Sequence, residues 1–182
     1  MIFSKLSSSA LLRLFLFVTF GVVALTASSY ISVPMYPVPV TAQTAVVLLT
    51  GAVCGARLGT AIVLIWLGLA LLGLPLLSDG KGGVSAFLGA TGGYLVGFPI
   101  AACLAGLVTT KAGIRYDALR FGVYLLLHVI ILTLGGLWLS QKIGLESALA
   151  NGVLPFLIGG VLKSALAAAL VAVLPRQPGS KG

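Results

Sequence analysis

The sequence predicts an all-α integral membrane protein with six transmembrane helices and both termini in the cytoplasm. Three observations predict it. The 182 residues are 59% hydrophobic and only 8% charged, whereas a soluble domain carries about a quarter charged residues. The mean hydropathy is +1.19. Apolar stretches of spanning length recur along the whole chain, which at this length reads as one domain, residues 1–182. With so few charges the chain does not cover its own surface in water.

A span needs about 20 apolar residues, and six stretches qualify, at about 11–30, 41–56, 58–77, 84–108, 119–140 and 153–174. They lack the alternation of a barrel strand, and a bilayer offers no water to an unpaired backbone, so they are helices. The first has a basic start like a signal peptide, but it is long and lacks a clean small-residue cleavage site; it reads as a retained helix. Small residues mark it, with Ala24 and Ser28 four apart on one face. That spacing permits close helix approach, either within the chain or to a partner membrane subunit. The second span is short, and Pro34, Pro37 and Pro39 precede it in an outer loop whose other residues, Val33, Met35, Tyr36 and Val38, are apolar. Such a stiff, extended loop lies across a protein surface or over a cavity.

The charges sort by side. With the N-terminus inside, Lys5, Arg13, Arg57, Lys111, Arg115, Arg120, Arg176 and Lys181 are cytoplasmic, and only Lys81 and Lys142 lie outside. This is the positive-inside pattern, and an even number of spans agrees with it. The net charge of +8 forms no basic stripe with interleaved aromatics, which argues against a nucleic-acid partner. Cys54 and Cys103 lack CxxC spacing and read as packing residues. Gly80, Gly82 and Gly83 lack the Gly-Lys-Ser/Thr ending of a phosphate loop, so any ATP hydrolysis belongs to another polypeptide. Paired carboxylates, a metal cluster or a nucleophile with its base are also missing, and the chain does not read as an enzyme; no catalytic residue, metal or cofactor is assigned. Trp66 and Trp138 fit core or interfacial anchoring.

Polar groups at membrane depth mark the candidate site. Thr41, Gln43 and Thr44 enter the second span, where Gln43 either reads an amide or ureido group or caps the helix. From Ser78 to Tyr94 two glycine pairs, Gly82-Gly83 and Gly92-Gly93, bracket a short apolar stretch that begins the fourth helix or re-enters the membrane. Glycine lets backbone approach a ligand closely, and irregular backbone at this depth belongs beside protein or a cavity. Thr91 and Tyr94 add hydroxyls there. Lys163 sits in mid-span without an acid within one turn. A cation there costs about 2.5–3.5 kcal/mol, so it faces a cavity or snorkels. A polar or anionic ligand would supply its partner. His128, alone within the fifth span, reads as a satisfied or ligand-facing hydrogen-bonding group.

At these positions the sequence resembles the BioY family, the biotin-specific substrate-capture subunits of energy-coupling factor (ECF) transporters. The carrying motifs are Pro37-Val-Pro-Val-Thr-Ala-Gln-Thr44, Leu49-Thr-Gly-Ala-Val-Cys-Gly-Ala-Arg-Leu-Gly59, the Gly-Leu-Pro within Leu69–Leu76, Thr91-Gly-Gly-Tyr-Leu-Val-Gly-Phe-Pro99 and Leu154-Pro-Phe-Leu-Ile-Gly-Gly-Val-Leu-Lys163. The resemblance implies a six-helix substrate-capture domain in the cell membrane that binds biotin near the outer face under the first outer loop. It implies a transmembrane coupling subunit and two ATPase subunits as partners, docking partly through helix 1. Lys163, Gln43, Thr41, Thr91, His128, the glycine pairs, Tyr36 and Tyr94 would then line the vitamin site, the two tyrosines against the fused rings. Two positions depart from the family pattern. Gly160 stands where an Asp is typical, and Ala90 where a Pro is usual.

Overall fold

A computed structural model describes residues 8–111 and 117–173. Seven helices follow one another: α1 Ser8–Tyr30, α2 Gln43–Leu71, α3 Val84–Leu88, α4 Gly92–Lys111, α5 Asp117–Ile143, α6 Leu145–Ala148 and α7 Leu154–Val173. Two short strands, β1 Ser32–Val33 and β2 Val40–Thr41, pair antiparallel between α1 and α2. Five segments are long and apolar enough to cross a membrane: Ser9–Tyr30, Gln43–Leu71, Gly92–Thr109, Ala118–Ile143 and Leu145–Val173.

The second and third expected spans are the two halves of α2. The helix breaks at Gly55, whose φ of 77° and ψ of 168° lie outside the helical region. Only glycine holds that backbone without a Cβ penalty. The chain reverses there, because Gly59 comes back against Gly51: a Cβ on Gly59 would lie 2.7 Å from the Gly51 Cα. Counted as halves, 43–54 and 56–71, the bundle has six helices. At about 1.5 Å per residue the first half is about 18 Å long, short of a full hydrocarbon crossing.

The fourth expected span also divides. Residues 84–88 form α3, separated from α4 by an extended Gly89, and the long helix starts at Gly92. The connector from α5 to α7 is helical too, with α6 followed by a π turn over Leu149–Val153.

Glycine governs how closely these helices meet. α4 packs on both halves of α2. Ala102 backbone lies against Gly51, Gly106 against Gly55 and Ala56, and the Trp66 and Phe98 rings stack with centroids 6.2 Å apart. Gly21 admits Ile62 between α1 and the second half of α2. The buried core runs through Leu25, Leu48, Ile62, Trp66, Ala102, Tyr124 and Ile131. Outward faces of α1 and α7 carry Phe15, Phe17, Phe20, Ile158 and Leu162 exposed, as lipid-facing helices do.

This packing puts Arg13, Arg57 and Arg120 toward the end of the bundle that holds the Gly55 turn, and Lys81 and Lys142 toward the other. Lys5, Arg115, Arg176 and Lys181, also used to orient the chain, lie outside the described residues, as does the Lys111 side chain.

Candidate ligand cavity

At the end of the bundle away from Gly55 a cavity opens between α2, α4, α5 and α7. Its roof is the loop between α1 and α2. Ser32 pairs with Thr41 and Val33 with Val40, and the Ala42 amide donates to the Ile31 carbonyl at 3.0 Å. The six residues between the strands include a cis Tyr36–Pro37 bond. Residues 36–38 bend rather than run extended, so the loop turns Val38 into the cavity, beside buried Pro39, and leaves Tyr36 outside. Tyr36 is 93% exposed. The expectation that it packs on a ligand's rings is therefore corrected: in a regular strand residues two apart share a face, and the bend over 36–38 is what lets Val38 point in while Tyr36 points out.

A second edge comes from the connector between α2 and α3. The end of α1 straps it down: Ser29 Oγ donates to the Leu76 carbonyl and Tyr30 Oη to that of Pro75, each at 2.6 Å. Leu77, Ser78 and Lys81 face the cavity. Lys81 Nζ pairs with Asp79 at 3.1 Å on the exposed rim.

The expected glycine lining is corrected as well. Gly82 is pressed against the carbonyls of Leu74 and Ala70, and Gly83 (φ 76°) donates its amide to the Ala70 carbonyl at 2.7 Å. Gly92 faces the Phe87 carbonyl and the Trp138 indole, and Gly93 the Leu134 carbonyl and Trp138. All four fix where walls stand, and none lines the cavity. Trp138 clamps this junction by donating from Nε1 to the Gly89 carbonyl at 2.8 Å.

Thr91 and Tyr94 do line it. Thr91 Oγ1 donates to the Ala86 carbonyl at 3.2 Å. Tyr94 Oη donates to the Gly152 carbonyl at 2.7 Å, an acceptor offered by the π turn, where widened backbone frees carbonyls from the helical pattern. Its ring stacks with Phe156, centroids 6.1 Å apart. Phe98, Leu95, Ile131 and Leu132 complete an apolar wall.

The floor is polar. Lys163, midway along α7, donates from Nζ to Thr44 Oγ1 at 3.2 Å. Among the described residues no carboxylate pairs with it. Thr41 Oγ1 donates to Gln43 Oε1 at 3.1 Å, leaving Gln43 Nε2 buried without a partner. His128 holds two groups at Nδ1, and its Nε2 is buried without a partner. Gln43 does not act as an N-cap; α2 has Ala42 at that position with no side-chain cap.

The cavity thus gathers Thr41, Gln43, Thr91, Tyr94, His128 and Lys163 of the residues singled out in the sequence. It adds Val38 and Pro39 from the apolar, proline-rich loop expected to lie over a cavity, and Phe98 and Phe156, which carry no sequence signal of their own. The candidate docking pair is corrected in part. Ser28 is buried in this chain, its hydroxyl bonded to the Leu25 carbonyl at 2.7 Å, and Ala24 is half-buried. The face of α1 left open carries Phe15, Phe20 and Val23 instead.

Known proteins share this architecture. A solved structure described as the S-component for biotin from an ECF-type ABC transporter superposes with a TM-score of 0.83, over 92% of this chain and 93% of that one, at 26% identity. A probable biotin transporter BioY from Pyrococcus horikoshii is 40% identical over 146 residues, 80% of this chain and 86% of the relative. The biotin transporter BioY of Rhizobium etli is 35% identical over 157 residues, covering 82% and 84%. The sequence profile of the BioY family matches residues 4–179. A roofed cavity between six helices, with a mid-helix lysine at its floor, is thus the form that this membership takes here: the chain belongs to the BioY family.

Proposed function

We propose that this chain captures biotin from outside the cell for uptake, as the S component of an ECF-type transporter. The observation that carries this reading is the cavity floor. A half-buried lysine whose one hydrogen-bond partner among the described residues is a neutral hydroxyl, beside two unpartnered polar atoms, calls for a compact ligand rich in hydrogen-bonding groups. The walls above it, Phe98, Tyr94 and Phe156, suit a fused-ring body. Biotin has both parts: a cyclic urea to meet the polar floor, and a ring system with an aliphatic tail to meet the walls. Its carboxylate is costly to bury unpaired, so it lies toward the rim, where Lys81 stands.

The chain works as one substrate-capture domain over residues 1–182, in the cell membrane, with both termini cytoplasmic and the cavity facing out. Release inward is driven by a transmembrane coupling subunit and two ATPase subunits. The chain makes no covalent bond to its ligand and needs no cofactor of its own. Part of the docking surface for the coupling subunit is the open apolar face of α1 rather than Ala24 and Ser28.

Equilibrium binding of biotin to the purified protein in detergent tests this, wild type beside Lys163→Ala. The expected result is tight wild-type binding that weakens at least about tenfold in the variant, about 1.4 kcal/mol. Binding unchanged in the variant removes Lys163 from the site. A folded wild type that does not bind biotin removes the vitamin and directs the search to other small vitamins.

A further inference from the structure

His128 is 3% exposed and stands on α5 facing α7 across the cavity floor. Its Nδ1 lies 3.1 Å from the Tyr124 carbonyl oxygen and 2.9 Å from Ser164 Oγ. These neighbours decide the tautomer. A carbonyl oxygen only accepts, so Nδ1 must carry the hydrogen. Ser164 agrees, because its one hydrogen goes to the Gly160 carbonyl at 2.7 Å, leaving the oxygen's lone pairs for Nδ1–H. The neutral ring then has its hydrogen on Nδ1 and a bare lone pair on Nε2. That Nε2 is buried and has no partner among the described residues. Gly160 has no side chain to cover the ring, and even a methyl group there would touch it only at 3.7 Å.

A buried, unpartnered acceptor in a cavity wall costs stability until a donor meets it. The neighbouring Lys163 ammonium supplies donors only, so the floor presents donor and acceptor side by side. A cyclic urea offers the reverse pair, an oxygen that accepts and N–H groups that donate. We propose that His128 Nε2 accepts a hydrogen bond from one ureido N–H of bound biotin, and that His128 thereby selects ligands carrying a hydrogen on that nitrogen. The inference rests on the biotin reading above. It divides the labour of the floor: Lys163 reads the urea oxygen and His128 reads the urea nitrogen. Tyr124 and Ser164 act as positioning residues by holding the ring in the accepting tautomer.

The test separates this role from mere packing between α5 and α7. In His128→Asn the shorter amide keeps a polar atom near the Nδ1 position, for Tyr124 and Ser164, and leaves nothing at the Nε2 position. In His128→Gln the longer amide carries an acceptor to the Nε2 position. Biotin affinity is measured for wild type and both variants, together with biotin methylated at one or the other ureido nitrogen. The expected result is a loss of at least about tenfold for biotin in His128→Asn and a clearly smaller loss in His128→Gln. One of the two methylated ligands binds wild type weakly and His128→Asn no worse. The reverse order of the variants overturns the proposal, as does wild-type affinity in both, or a loss in His128→Asn equal for biotin and both methylated ligands. If His128→Asn does not fold, His128→Gln and His128→Leu take its place with the same criterion. Wild type that does not bind biotin overturns the biotin reading and this inference with it. Wild type that binds biotin while the variants fail the criterion overturns the inference alone.

Discussion

Gly160 lies between the two polar groups of the floor, one turn before Ser164 and three residues before Lys163. A Cβ there would sit 3.7 Å or more from the His128 ring, an ordinary contact. Gly160→Ala is therefore expected to fold and to bind biotin within about twofold of wild type, measured by equilibrium binding in detergent. A large loss would mean that the ligand itself fills the space above Gly160. At this scale the sequence was legible where a residue contradicts its surroundings. Lys163 stands out because a cation in a bilayer is costly, and Gln43 and His128 because amides and imidazoles are rare there. Phe98, Leu132 and Phe156 were illegible because an apolar residue in an apolar segment carries no contrast. Tyr36 misled for a related reason: the sequence shows an aromatic residue in a loop over a cavity but not where that loop bends, and the bend over 36–38 decides which way each residue points.

Among the elements, α2 depends most on one position. Its reversal at Gly55 needs a φ of 77°, and the returning half meets the first through Gly59 on Gly51. Gly55→Ala puts a Cβ on a backbone region that essentially only glycine occupies, at about 1–3 kcal/mol. Gly59→Val pushes the halves apart at about 1–3 kcal/mol or more. Both are expected to lower the midpoint of thermal unfolding in detergent, with Gly59→Val the worse, and to weaken biotin binding only in proportion to lost folded protein. Hydropathy recognised two apolar stretches flanking Arg57, hence the six-helix count. It marked the first stretch as short but could not show that it joins the next through a reversal at Gly55, since that depends on how the halves pack. The glycine pairs at Gly82 and Gly92 were legible as close approaches of backbone. What approaches them, carbonyls and Trp138 rather than a ligand, depends on segments distant in sequence.

For the whole molecule, the site is assembled from every part of the chain: a roof from residues before α2, a rim tied to α1, walls from α4, α5 and α7, and a floor shared by α2, α5 and α7. Lys163 to Thr44 at 3.2 Å and Tyr94 to Gly152 at 2.7 Å join segments far apart in sequence. Tyr36→Ala, on the outer side of the roof, is expected to leave biotin affinity within about twofold. Val38→Asp, on its inner side, sets an unpaired carboxylate against the apolar wall and is expected to weaken binding at least about tenfold. Equal effects from the two substitutions would place the inward face of the loop elsewhere. The roof has a further consequence. Its two strands of two residues each make a far slighter structure than the helices beneath it, so it is the part that opens at least cost. A ligand held by a rigid floor under a light door has its affinity set by the floor and its residence time set by the door. Loosening the loop should then speed capture and escape together, so that the two steps of scavenging, how scarce a vitamin can be caught and how quickly it is handed on, can be tuned separately.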